Sequence, residues 1–191
     1  MNHRTKEEYY RYLSVDIDSS DPAQQPTVQG CVEQFFQPED RELKCEKCEE
    51  GTAATQTLQI LSRPRAVLVH LKRFVLVESK DDSGKTTVAF QKNRAAVALD
   101  GTLSLAPHWK TSATAASAPS PSYALQSVVH HIGNTADSGH YTADCLRRSV
   151  EDGSPQWVSY DDALTAETTL GKVQGSVQNK RAAYMLLYSM S

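Results

Sequence analysis

His140 follows Ser138-Gly139 and precedes Tyr141 on an apolar segment, and two carboxylates, Asp161 and Asp162, come about twenty residues later. An imidazole titrates near neutral pH, so it can take a proton and return it. A carboxylate beside it fixes the tautomer and stabilises the charged ring. The chain between them has the pattern of a hairpin. The β-rich run 123–132 leads in, 141–146 alternates as a half-buried strand does, Glu151-Asp152-Gly153-Ser154-Pro155 is a turn signal, and 157–160 returns. Pairing His140 with Asp161 centres that hairpin between Val150 and Glu151, at the edge of the turn, so a small bulge or slip sets Asp161 or Asp162 opposite the ring. There the carboxylate accepts the Nδ1 hydrogen and leaves Nε2 to take a proton from a nucleophile. The residues alone also admit a packed strand histidine, with the Asp pair a turn or helix cap before Ala163-Leu164.

Four cysteines are the candidate nucleophiles and metal ligands. Cys45 and Cys48, spaced Cys-x-x-Cys, place two thiolates where one tetrahedral metal can take both, which is half a zinc site. Two solvent-facing thiols in a loop is the alternative. Cys31 lies on an apolar helical stripe and reads as a small buried hydrophobe. Cys145 is five residues past His140 on the same strand, so the two face opposite ways. None suits the role of nucleophile.

The elements that must carry these groups follow from the hydrophobic period. A strand is expected over 9–17, a polar loop over 18–26, and a helix with apolar positions 28, 31, 32, 35 and 36 capped by Thr27. Residues 54–62 read as a strand and 66–77, almost wholly apolar, as a central strand covered on both faces. Lys72 and Arg73 at its end either meet an acidic partner or reach solvent. A turn over 78–86 precedes short strands over 87–99 and 103–105, broken at Asp100-Gly101, and the Ala/Ser/Pro-rich stretch 111–122 reads as a flexible loop. The run 182–188 closes the sheet beside the strand that carries His140.

With 191 residues the chain has the length of one domain with a real core. Its 20 Lys+Arg against 23 Asp+Glu argue against a nucleic-acid binder that works by neutralising phosphates. There is no apolar run near the roughly 18 residues a membrane helix needs, and the first residues lack the apolar core of a signal peptide. Cys-x-x-Cys without a disulfide framework fits a reducing, cytoplasmic or nuclear setting.

Taken together, His131-Ile132-Gly133, Ser138-Gly139-His140-Tyr141, Trp157-Val158-Ser159-Tyr160-Asp161-Asp162 and Ala183-Tyr184-Met185-Leu186-Leu187-Tyr188 resemble the histidine box of the ubiquitin-specific proteases, which are papain-like cysteine deubiquitinases. Phe35-Phe36-Gln37-Pro38-Glu39-Asp40 with Lys44-Cys45 and Cys48 resembles the fingers of that family, and 61–74, ending in Leu71-Lys72-Arg73-Phe74, resembles its central strand. The resemblance implies an α+β fold, mainly antiparallel sheet with one or two short helices, divided into fingers (about 9–60) and palm (61–188). It implies that His140 is the general base, that Asp161 orients it with Asp162 sharing that role, and that Gly139 and Tyr141 line the channel for the ubiquitin tail. In the family the nucleophilic Cys sits in an Asn/Gly-rich box far upstream. The only similar fragment here, Gly133-Asn134-Thr135, is followed by Ala136 where a Cys would be required. The expectation is therefore the C-terminal portion of a deubiquitinating cysteine protease, holding the base half of the triad and inactive alone. A non-catalytic ubiquitin-binding module and a zinc-dependent structural fragment are the alternatives. Ubiquitin or ubiquitinated proteins are the implied partners, no cofactor is required, and structural zinc enters only if a second Cys pair joins Cys45 and Cys48.

Overall fold

The computed structural model describes residues 5–21, 23–44, 51–80, 84–110 and 122–190. Cys45, Cys48 and residues 111–121 of the expected loop lie outside them, and Ser122 already belongs to a strand. Among the described residues, seven strands follow one another across a sheet: β1 (Leu13–Val15), β4 (Ala66–Leu71), β12 (Ala183–Met190), β8 (Ser122–Ile132), β9 (His140–Arg148), β10 (Pro155–Asp161) and β11 (Leu164–Thr168). An eighth, β7 (Thr102–Ser104), pairs with the start of β8. All these pairings are antiparallel except β1 with β4. Two ribbons stand outside the sheet, β2 (Glu39–Lys44) with β3 (Gly51–Gln56), and β5 (Phe74–Lys80) with β6 (Thr86–Lys92).

One face of the sheet is covered. The helix α1 (Val28–Phe35) starts where expected, with the Thr27 hydroxyl accepting from the Gly30 amide at 2.9 Å. It buries Val28, Cys31 and Val32, positions i, i+3 and i+4, together with Val67, Val69 and Leu71 of β4 and Leu186 of β12. Burying each of these aliphatic side chains contributes about 1.5–3 kcal/mol. On β8 the buried residues are Tyr123 and Leu125, then Val128 and His130, with His131 buried beside them on the other face. The change of phase is a bulge: Leu187 of β12 pairs with Ser127 and Tyr188 with Leu125, so Gln126 is the extra residue that keeps both halves of β8 pointed at the core.

Several expectations are corrected. The strand expected over 9–17 is only three residues long. The run 66–77 is not one covered strand. It breaks after Leu71, and β5 leaves the sheet with Val75, Leu76 and Val77 exposed. β12 lies between β4 and β8, so β8 separates it from the strand of His140. Residues 164–182, for which no elements were expected, form β11 and two short helices, α2 (Leu170–Gly175) capped by Thr169 and α3 (Val177–Ala182) capped by Ser176.

The break after Leu71 has a definite cause. Arg73 turns inward and is fully buried. Its Nε donates to the Ala183 carbonyl at 2.5 Å, one terminal nitrogen to the Asn93 and Ala95 carbonyls at 3.1 and 2.9 Å, and the other to the Lys180 carbonyl at 2.7 Å. Its own carbonyl accepts from the Asn93 amide at 2.6 Å. Burial lowers its pKa to about 10, still far above neutrality, so the guanidinium stays charged. The expected acidic partner belongs to Lys72 instead, which pairs with Asp16 at 2.8 Å on the surface. Arg73→Met takes the guanidinium donor from four carbonyls, of which that of Lys180 keeps the Val97 amide at 3.0 Å. The expected loss is on the order of 4 kcal/mol, read from the shift of the urea midpoint, and a loss below about 1 kcal/mol contradicts the clamp.

Candidate functional site

The expected hairpin forms, with its turn one position later than its index arithmetic placed it. Arg148 pairs with Pro155 and Tyr160 with Ala143, which centres the turn between Glu151 and Asp152. Gly153 at φ +70° supplies the positive φ, its amide donates to the Ser149 carbonyl, and Asp152 accepts from the Ser154 amide at 3.0 Å. In this register Asp161 is not directly opposite His140 but one diagonal step away on the same face, within reach of a carboxylate and an imidazole. The two meet. His140 Nε2 is hydrogen-bonded to Asp161 Oδ1.

This corrects the expected orientation of the ring. Nε2, rather than Nδ1, faces the acid, because His140 opens β9 and approaches Asp161 along the diagonal. Nδ1 is left without a partner among the described residues, and the ring is 44% exposed. The hydrogen bond to Asp161 and then the charge of that carboxylate push the His140 pKa up, and the charge of Asp162 adds to this. Asp162 occupies the two-residue turn into β11 at φ +50°, a conformation a primed hairpin turn requires and Asp tolerates. It is therefore both a turn residue and an electrostatic neighbour of the ring. The ligand atoms of His140, Asp161 and Asp162 lie within 4.8 Å of one another, near enough to share a cation, although the ring already occupies one Asp161 oxygen.

The backbone ahead of His140 is closely packed. A Cβ on Gly139 would lie 2.1 Å from His131 Nε2 and 2.8 Å from the Ile132 carbonyl, so only glycine fits. Gly133, at φ +150°, faces it across the loop. Tyr141 projects on the opposite face of β9 from His140 and joins an aromatic cluster. Its ring lies 5.0 Å from His131 and 6.3 Å from Tyr184, and Phe74 lies 5.2 Å from His131. Phe74, His131 and Tyr184 were quoted in the family likeness but given no role; the apolar, period-two pattern of their strands reads the same for core and for site.

A second carboxylate supports the hairpin from inside. Asp144, buried on β9, accepts from His130 Nε2 at 2.8 Å, from Asn179 of α3 at 3.1 Å and from the Ser159 hydroxyl. Burial opposes its ionisation, but these three donors outweigh it and hold the carboxyl below its usual range. Ser159 is two residues before Asp161 on the same face, so this network fixes β10 where the orienting acid leaves it.

The described cysteines do not reach the ring. Cys31 sits in the core with burial pushing its thiol up to about 11, and Cys145 lies on the face away from His140 with burial raising its pKa. Asp161→Asn removes the charge while keeping an acceptor. The His140 midpoint is expected to fall toward that of a free imidazole, about 6.5, in an NMR titration of its ring protons. The linked stability has a definite sign. With the folded pKa raised, the pair stabilises fully below the unfolded pKa and that contribution is lost as pH rises through the folded one. An unchanged midpoint contradicts the pairing.

Residues 7–188 match the family described as "Ubiquitin carboxyl-terminal hydrolase". Among curated relatives, ubiquitin carboxyl-terminal hydrolase 10 of Saccharomyces cerevisiae is 31% identical over 170 residues, covering 85% of this chain and 19% of that protein. Human ubiquitin carboxyl-terminal hydrolase 43 is 31% identical over 185 residues, covering 85% of this chain and 15% of that one. Human Ubl carboxyl-terminal hydrolase 18 is 28% identical and is matched over 45% of its length, so the chain spans less than half of each of these proteins. In fold it is similar to the Ubp8-containing SAGA DUB module bound to monoubiquitin, at a TM-score of 0.66 and 23% identity over 95% of this chain and 35% of that one. On the family match across nearly its whole length, this chain belongs to the ubiquitin carboxyl-terminal hydrolases.

Proposed function

We propose that this chain is the palm-and-fingers portion of a deubiquitinating cysteine protease, supplying the base and the substrate-tail channel to a thiol carried on another segment. The observation that carries the reading is the His140–Asp161 pair with Nδ1 of the ring left open. A thiol has a pKa near 8.5, so taking its proton is easier for an imidazole raised above its ordinary value than for a free one. Asp161 then stabilises the imidazolium that forms. The nitrogen that receives the proton is Nδ1, and no cofactor enters this chemistry.

Gly139 and Tyr141 fit the channel role assigned by resemblance. An extended Gly-Gly tail needs close backbone approach and flat aromatic walls, and Tyr141, Tyr184 and Phe74 present them beside a glycine that cannot be replaced without a clash. The described cysteines, one in the core and one behind the base, support a nucleophile from outside these residues. The chain alone is accordingly inactive.

Ubiquitin carrying a thiol-reactive group at its C-terminus tests both parts. The chain is expected to bind it, with amide shifts at Gly139 and Tyr141, and to form no covalent adduct. Gly139→Ala is expected to weaken binding at least ~10-fold, or about 1.4 kcal/mol. Labelling of any of the four cysteines overturns the separate thiol, and a site that does not respond to ubiquitin overturns the channel.

A further inference from the structure

We propose that Lys92 and His131 are positioning residues for His140: the ammonium sets the tautomer of the second imidazole, and that imidazole holds the backbone just ahead of the first. The inference deepens the proposed function and rests on reading His140 as the base. Lys92 ends β6. Its Nζ donates to the His131 carbonyl at 2.7 Å, to the Gly133 carbonyl at 2.9 Å and to His131 Nδ1 at 3.0 Å. An ammonium has three protons and no lone pair, so all three are committed and Nδ1 of His131 must be the unprotonated nitrogen. The ring proton is then on Nε2.

That nitrogen faces the backbone just ahead of His140. The ring packs between Gly133 and Gly139: a Cβ on Gly139 would lie 2.1 Å from Nε2, and one on Gly133 3.3 Å from Cε1. The 133–139 loop is thereby held at both ends, at Gly133 by Lys92 and at Gly139 by the ring that Lys92 orients. The charged and titratable groups around His131 are Lys92, Tyr141 and Tyr184, with Arg94 bonded to Asn134 farther along the loop. No carboxylate is among them to favour a second proton. Burial and the adjacent ammonium both push the His131 pKa down, whereas Asp161 pushes that of His140 up. Of these two histidines, one is kept neutral as a fixed donor and the other is free to titrate.

Long-range ¹H–¹⁵N spectra of the imidazoles in the whole chain test this. In the unmodified chain His131 is expected as the Nε2–H tautomer, still neutral at the pH where His140 is half protonated. Lys92→Met is expected to mix the His131 tautomers, raise its midpoint and lower that of His140 toward about 6.5. A purely structural lysine would leave the tautomer and both midpoints unmoved. An Nδ1–H tautomer in the unmodified chain overturns the proposal even if Lys92→Met does not fold, and so does an unchanged His140 midpoint in a folded variant. Failure here, with Asp161→Asn still lowering the His140 midpoint and Gly139 still responding to ubiquitin, overturns the positioning role alone. A correct His131 tautomer in a chain that ignores ubiquitin overturns the catalytic reading alone.

Discussion

A charged guanidinium that meets carbonyls, and no carboxylate among the described residues, anchors this molecule. Arg73 is taken wholly out of water at the point where the central strand would otherwise run on into the β5–β6 ribbon. Such a group is tolerated only if its donors are satisfied, and the carbonyls that satisfy it come from three places: the start of β12, the end of α3 and the segment after β6. The need to solvate one buried cation therefore brings distant parts of the chain together. That cation adds to the bonds that fix Asn93, which also reaches the Ile17 carbonyl and the Ala95 amide.

From that anchor the influence reaches the site in short steps. Arg73 fixes Asn93, and Lys92 is its neighbour in sequence. Lys92 reaches across to the loop between β8 and β9, and the loop leads into His140. On the other side, the buried Asp144 ties β8, β10 and α3 to β9 and so delivers Asp161. His140 and Asp161 are both exposed, but each stands at the end of a strand whose last buried residues are heavily bonded. Exposed side chains on rigid supports can meet a group that approaches from outside the sheet.

Much of this was legible in the residues. The meeting of His140 with Asp161 followed from a turn signal and an index count, Thr27 announced α1, and the apolar stripe placed Cys31 in the core. The orientation of the ring was not legible, since it depends on a one-residue shift of the turn set by Gly153 and on the diagonal approach that results. Arg73 was hidden because an arginine after an apolar strand reads as a strand-end charge, and nothing local tells that four carbonyls will converge on it. α2 and α3 are too short to show a helical stripe, although their caps, Thr169 and Ser176, stand in the sequence. Lys92 and His131 lie 39 positions apart, and only the tertiary placing of the β5–β6 ribbon beside β8 brings them together.

The claim beneath all of this is that Asp161 holds His140 through Nε2, so that Nδ1 is the nitrogen left to accept a proton. The nitrogen-15 shifts of the His140 ring, recorded above its midpoint, test it most directly. The account predicts a protonated Nε2 and a lone-pair Nδ1. A neutral ring carrying its proton on Nδ1 would contradict it.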